Sequence, residues 1–258
     1  MKNDSVKVFW TENDSIIVWC YYMLMSLPWF LGLLLGGANP SSADRLAELG
    51  SFLPISFWIL GLVPVAFVCW LLYNRLKQSG CTFMELLDIP SKENWFVIIQ
   101  KGVVAGLVLF FCGAFIIKWW SQFLCTLGVE AKPQFLVEVL NSGLIPLWQI
   151  VGLGVLLSIA APFTEEICFR AIIFERLKAN RRKWVAVLLS SSFFAVVHLN
   201  LFALPGAFFV GLGLAVLYDM QLGSSTGYNG RQARVGLLGS MVAHLTFNVL
   251  SFLHNISG

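Results

Sequence analysis

Glu165 and Glu166, followed four residues later by Arg170, interrupt a stretch that otherwise reads as membrane-spanning, with apolar residues dominating from Leu147 to Ala161 and from Ala171 to Phe174. A charged side chain at the bilayer centre costs roughly 2.5–3.5 kcal/mol even on insertion scales, so such residues persist where they face a wet or protein-lined cavity. Two histidines also fall inside apolar segments: His198, which ends Phe194-Ala195-Val196-Val197-His198, and His244, whose spacing of four puts it on one helix face with Asn248. Together these residue types suit hydrolysis. A carboxylate can take a proton from water and return it to a leaving amine, and Glu165 would be that base. His198 would hold and polarise the water, while His244 and Asn248 would donate hydrogen bonds to the developing oxyanion.

Glu166 and Arg170 have the spacing of an intrahelical ion pair, which assigns them a chiefly architectural role, fixing the helix and orienting Glu165. Adjacent helical residues point roughly 100° apart, so only one of the two glutamates faces a substrate, and which one stays open at this stage. At 1.5 Å of rise per residue, Glu165, His198 and His244 lie roughly 16, 21 and 13 Å from their nearest interfacial borders, near the middle of a core about 30 Å thick. One cavity can hold all three. A zinc site built from Glu165, His198 and His244, with a fourth position for water, is the mechanistic rival. The sequence contains no HExxH, and Asn248 suits an oxyanion donor better than a zinc ligand. The preferred reading requires no cofactor and keeps zinc as the alternative.

The elements that must carry these residues are apolar helices. Of the 258 residues 58% are hydrophobic and only 12% are charged, where a soluble domain carries about 25% charged residues. At about 20 residues per span, the expected fold is an all-α, polytopic transmembrane bundle of about seven spans with the catalytic cavity at mid-membrane. The spans are Ile16–Gly37, Phe52–Tyr73, Phe96–Ile117, Leu147–Phe174, Trp184–Phe202, Gly206–Leu222 and Val235–Leu253. The first is read as retained rather than as a cleaved signal, because its apolar run is longer than a signal-peptide core. Residues 1–146 hold the early spans and an external connection, and 147–258 the catalytic core, in one membrane domain. With alternating connections, thirteen of the 17 Lys and Arg residues collect on one side, three (Arg45, Lys118, Lys132) on the other, and Arg170 stays inside. By the positive-inside rule, the multi-pass chain sits in the cell membrane with its N-terminus cytoplasmic and its C-terminus outside. The Arg181-Arg182-Lys183 cluster is a topology determinant, and Asp219 reads as a solvated border residue.

Other features are secondary. Gln134–Leu140 has the pattern of an interfacial helix, and Trp119, Trp120 and Trp148 suit an aromatic belt. Small residues at Gly32/Gly36 and Gly102/Gly106 permit close helix packing within one chain or between two. No CxxC or Cys/His pair at zinc spacing occurs among the six cysteines, and no basic face tracks phosphates, which argues against nucleic acid. The expected partners are the bilayer and a membrane-associated peptide or protein substrate.

Glu165-Glu166-x-x-x-Arg170, Phe194-x-x-x-His198 and His244-x-x-x-Asn248, in that order on successive apolar helices, resemble the three motifs of the CPBP family of intramembrane proteases. That family includes the type II CAAX prenyl endopeptidases and the Abi bacteriocin-processing or immunity proteins, and the resemblance covers roughly Leu147–Leu253. It implies a membrane endopeptidase in which Glu165 and His198 activate water and His244 and Asn248 stabilise the oxyanion, with Glu166, Arg170 and Phe194 completing the motifs. The substrate would be prenylated, lipidated or leader-peptide-like. One departure is the insertion-like Gly223–Arg234 before the last span, which bears on substrate access. Two other readings use the same residues: a catalytically silent regulator that binds a membrane partner, and a proton-coupled transporter. The transporter would usually carry an internal repeat, and none is visible in the sequence.

Overall fold

The computed structural model describes residues 55–79, 95–129, 145–222 and 236–257, with short pieces at 13–14, 16–18, 21 and 140. Most of the expected first span with its Gly32/Gly36 pair, the segment 134–139 and the connection 223–235 lie outside the described residues. The main helices are α1 (Ile55–Ser79), α2 (Trp95–Thr126), α3 (Leu147–Asn180), α4 (Lys183–Val197), α5 (Leu204–Leu222) and α6 (Gly236–Ser257). No strand occurs among the described residues. The expected all-helical fold holds, and α2, α3 and α6 are long and apolar enough to cross a membrane.

Several boundaries differ from expectation: α1 runs on to Ser79, α2 to Thr126 and α3 to Asn180, while α4 stops short. The fifth span was drawn through Phe202, but α4 ends at Val197, with His198 as its last αR residue and Leu199 at a φ of 45°. A 15-residue helix rises only about 22 Å, less than the hydrocarbon thickness of about 30 Å. The turn 198–203 therefore follows only about 22 Å beyond the Arg181-Arg182-Lys183 cluster, and irregular backbone among apolar helices needs partners. Its partners are at hand. Asn200 Oδ1 accepts from the Phe202 and Ala203 amides at 3.0 and 3.1 Å, and Trp120 Nε1 on α2 donates to the Leu201 carbonyl at 2.9 Å.

The core is centred on Ile167–Phe174 of α3, around which α1, α4, α5 and α6 pack their buried residues, with Leu109 entering from α2. Along α2 the buried positions include Gly102, Gly106, Leu109 and Gly113, while Val104, Phe111, Phe115 and Trp119 are exposed. Such a helix faces lipid on one side and presents small residues to its neighbours on the other. A Cβ placed at Gly106 would lie 2.5 Å from the Ala243 carbonyl and 2.6 Å from Thr246 Cβ. The Gly102/Gly106 pair thus serves packing within the chain, and it seats the turn of α6 that carries His244.

Asp219, expected to be solvated, is 7% exposed and takes Lys178 from the end of α3 and Lys183 from the start of α4. Packing of α5 against the α3–α4 corner removes it from solvent, and two flexible ammonium stems follow it in. The same logic ties the N-terminal piece to α1, where Arg75 binds both oxygens of buried Asp14 at 2.5 and 2.6 Å.

Two expectations follow for purified protein in detergent. Gly106→Leu should destabilise by at least about 1–3 kcal/mol through overpacking, seen as a lower thermal midpoint; an unchanged midpoint would refute the close α2–α6 seam. Asp219→Asn should cost about 1–2 kcal/mol, because a charge-assisted acceptor is lost while both lysines remain partly hydrated. Equal urea or thermal stability would contradict the clamp.

Candidate active site

The local shape of α3 begins with Pro162. Proline has no N–H and deprives a carbonyl one turn earlier of its helical donor. Residues Leu156–Ala160 form a π-helical turn in which the Ala161 amide reaches back five residues to the Leu156 carbonyl. By the same register the missing Pro162 donor belongs to Leu157. Asn248 on α6 supplies it, donating from Nδ2 to the Leu157 carbonyl at 2.8 Å. A second π-helical stretch, Ile167–Phe174, follows after six α-helical residues. Glu165 and Glu166 therefore sit on a short α-helical segment held between two wider turns, an irregularity that recurs at functional sites.

The charged groups form one chain of contacts. Arg170 Nε meets Glu166 Oε2 at 3.2 Å, and both side chains are fully buried. The other oxygen, Oε1, lies 2.9 Å from His244 Nδ1, and His244 Nε2 faces Glu165 Oε2 at 3.6 Å. Glu166, already paired with a guanidinium, accepts, so the proton belongs on His244 Nδ1. Nε2 is left facing Glu165 Oε2 at 3.6 Å, beyond direct hydrogen-bond distance. Beyond Arg170 the chain continues: Nη1 donates to Ser190 Oγ at 3.4 Å, and Ser190 donates to the Phe169 carbonyl at 3.1 Å.

Glu165 ends the chain at the open side. Its side chain is 17% exposed, and Oε2 is buried without a hydrogen-bond partner among the described residues. Phe194 packs at the centre of the group. Its ring lies 5.6 Å from His244, 5.3 Å from Phe169 and 4.7 Å from His198, with the Arg170 guanidinium 5.2 Å from its centroid. Such a ring face stabilises a desolvated cation. His198 is exposed at the end of α4 and its Nδ1 lies 2.6 Å from the Phe194 carbonyl, which puts a proton on Nδ1 and leaves Nε2 as an acceptor.

Glu165, Glu166, Arg170, Phe194 and His244 thus form one contact group at the α3–α4–α6 junction, while His198 borders it through the Phe194 ring and Asn248 bonds the Leu157 carbonyl. Glu166 and Arg170 pair as expected, and the pair is extended by His244, a link that spacing within one helix could not reveal. Sequence reading missed Ser190; the only signal was Ser190-Ser191-Ser192 inside an apolar helix. Among the described residues no three His, Cys, Asp or Glu side chains stand together in an arrangement that would hold a metal ion.

Comparison with known proteins bears on this region. Residues 146–250 match the family model of the type II CAAX prenyl endopeptidase Rce1-like proteins. The chain is also 26% identical over 213 residues to a putative membrane peptidase, YdiL, of Bacillus subtilis strain 168, covering 82% of this chain and 80% of the relative. No solved structure matches the chain. Residues 146–250, the stretch that carries the three motifs, are thus similar to the type II CAAX prenyl endopeptidase Rce1-like family.

Proposed function

We propose that the chain is an intramembrane endopeptidase of the CAAX type, hydrolysing a peptide bond of a prenylated, lipidated or leader-peptide substrate with water activated at Glu165. The observation that carries this reading is the buried sequence Arg170, Glu166, His244, Glu165, which ends at a carboxylate oxygen with no hydrogen-bond partner among the described residues.

In this mechanism water approaches ionised Glu165. The carboxylate takes one proton as the water oxygen bonds to the scissile carbonyl carbon, and the carbonyl oxygen becomes an oxyanion. The proton then passes to the amide nitrogen as the C–N bond breaks, leaving a carboxylic acid and an amine. His244, held through Nδ1 on Glu166, turns Nε2 toward Glu165 and the reacting atoms. His198 Nε2 accepts from the attacking water. Asn248 has one amide hydrogen on Leu157 and a second for the oxyanion. The choice between the adjacent glutamates falls on Glu165, because Glu166 has both oxygens engaged. The proposed location is the cell membrane, N-terminus inside and C-terminus outside, with substrate drawn from the bilayer or its surface.

The test is cleavage of a fluorogenic prenylated peptide by purified protein in detergent. Glu165→Gln, nearly isosteric and unable to act as a base, should lower kcat/KM by about 10²–10⁴ while expression and thermal midpoint stay at wild-type values. Full turnover by that variant would sink the mechanism. A strong zinc chelator should leave wild-type turnover intact; loss that zinc restores would transfer Glu165, His198 and His244 to a metal site.

A further inference from the structure

Ser190 is fully buried on α4, 20 residues beyond Arg170, and lies outside all three motifs. A serine in an apolar helix ordinarily satisfies its hydroxyl on its own helix, four residues back. Neighbouring Ser191 does so, donating to the Val187 carbonyl at 2.7 Å. Ser190 instead crosses to α3. It donates to the carbonyl of Phe169, within the second π-helical stretch, and it accepts from Arg170 Nη1. One hydroxyl thus holds both the backbone of α3 and the guanidinium next in sequence.

The two wide turns of α3 are each fixed from outside by one polar side chain. Asn248 on α6 holds Leu157 in the first, and Ser190 on α4 holds Phe169 in the second. Between those points lies the segment Ala161–Glu166. A π-helical turn can migrate along a helix by exchanging i−5 for i−4 bonds, and each step rotates the residues it passes by a large fraction of a turn. A pin on either side stops that migration, so the direction in which Glu165 and Glu166 point is set by these two bonds. Arg170 adds a second constraint. Its Nη2 is buried without a hydrogen-bond partner among the described residues, which leaves Nε on Glu166 and Nη1 on Ser190 to hold the plane of the guanidinium.

We infer that Ser190 is a positioning residue: through Phe169 and Arg170 it fixes the register of the glutamate segment and the orientation of Glu166, and through Glu166 the proton placement on His244. The inference rests on the proposed role of Glu165 for its effect on turnover, but its effect on His244 is independent of any reaction.

The experiment uses Ser190→Ala, Ser190→Cys and Ser190→Thr in the full chain. The readouts are thermal midpoint, kcat and KM on the fluorogenic prenylated peptide, and the ring ¹⁵N resonances of the three histidines, with His244 identified by comparison with His244→Gln. Ser190→Ala is expected to lower kcat about tenfold with KM within twofold, and to shift or broaden the Nδ1 signal of His244 while His198 and His254 stay in place. Ser190→Thr, which keeps the hydroxyl, should recover most of kcat and the His244 signal. Ser190→Cys, which keeps the volume but donates weakly, should behave like Ser190→Ala. Unchanged kcat and His244 resonances in Ser190→Ala would overturn the inference. So would recovery by Ser190→Cys of both activity and thermal midpoint, since volume alone would then suffice. If Glu165→Gln proves fully active, the catalytic reading fails while a shifted His244 signal in Ser190→Ala still supports the positioning role.

Discussion

Glu166 is a fully buried carboxylate with a cation on one oxygen and an imidazole on the other, and the architecture of the C-terminal half follows from keeping it so. Leaving such a charge with either partner missing costs about 3–5 kcal/mol. Arg170 is provided by the same helix, so their approach is local. His244 arrives from α6, 78 residues away, and must be delivered by tertiary packing. That delivery explains the glycine seam. Gly102 and Gly106 let α2 come close enough to press α6, at Val242, Ala243 and Thr246, onto the face of α3. A larger residue on α2 would withdraw the histidine from a carboxylate that cannot do without it.

The irregular helix serves the same end. In a regular α-helix Pro162 would leave one orphaned carbonyl inside a dry bundle, with no water to fill it. The wide turn moves that vacancy to Leu157, within reach of Asn248, and so turns a backbone defect into a bond between α3 and α6. The asparagine that the motif reading assigned to oxyanion stabilisation is in the first place the residue that makes the proline tolerable. The two roles are compatible, because a carboxamide carries two hydrogens.

Much of this was legible in the sequence and part was not, for reasons that differ residue by residue. The helical class, the apolar spans and the Glu166–Arg170 pair depend on periodicity and composition, which act locally and leave a direct trace. The end of α4 was misplaced because apolar residues continue from Val197 through Leu204 apart from His198 and Asn200, and hydropathy does not distinguish a buried turn from a helix. What stops the helix there is Leu199 in the left-handed region, with Asn200 receiving the following amides. Asp219 was misread for the opposite reason. Its neighbours in sequence place it at a border, but its lysine partners come from 41 and 36 residues away, and only the fold reveals that it is covered. Ser190 belongs to the same class, since a buried serine is silent until the group it reaches is known.

The shortness of α4 bears directly on chemistry. Hydrolysis inside a bilayer needs water where lipid excludes it, and a continuous helix through that depth would offer none of its backbone groups to solvent. Ending α4 at His198 leaves an exposed imidazole at the head of a polar turn, in contact with the Phe194 ring. Phe194 thus touches two environments with one ring. Arg170 and Glu166 are fully buried, where their attraction is strongest, and His198 is exposed. Glu165 is partly exposed beside His244, the position from which the proposed base would face both the buried charges behind it and a reacting group in front. A buried charge needs all its partners and a reacting group needs access, and the step from Glu166, fully buried with both oxygens engaged, to partly exposed Glu165 separates those two demands between adjacent residues.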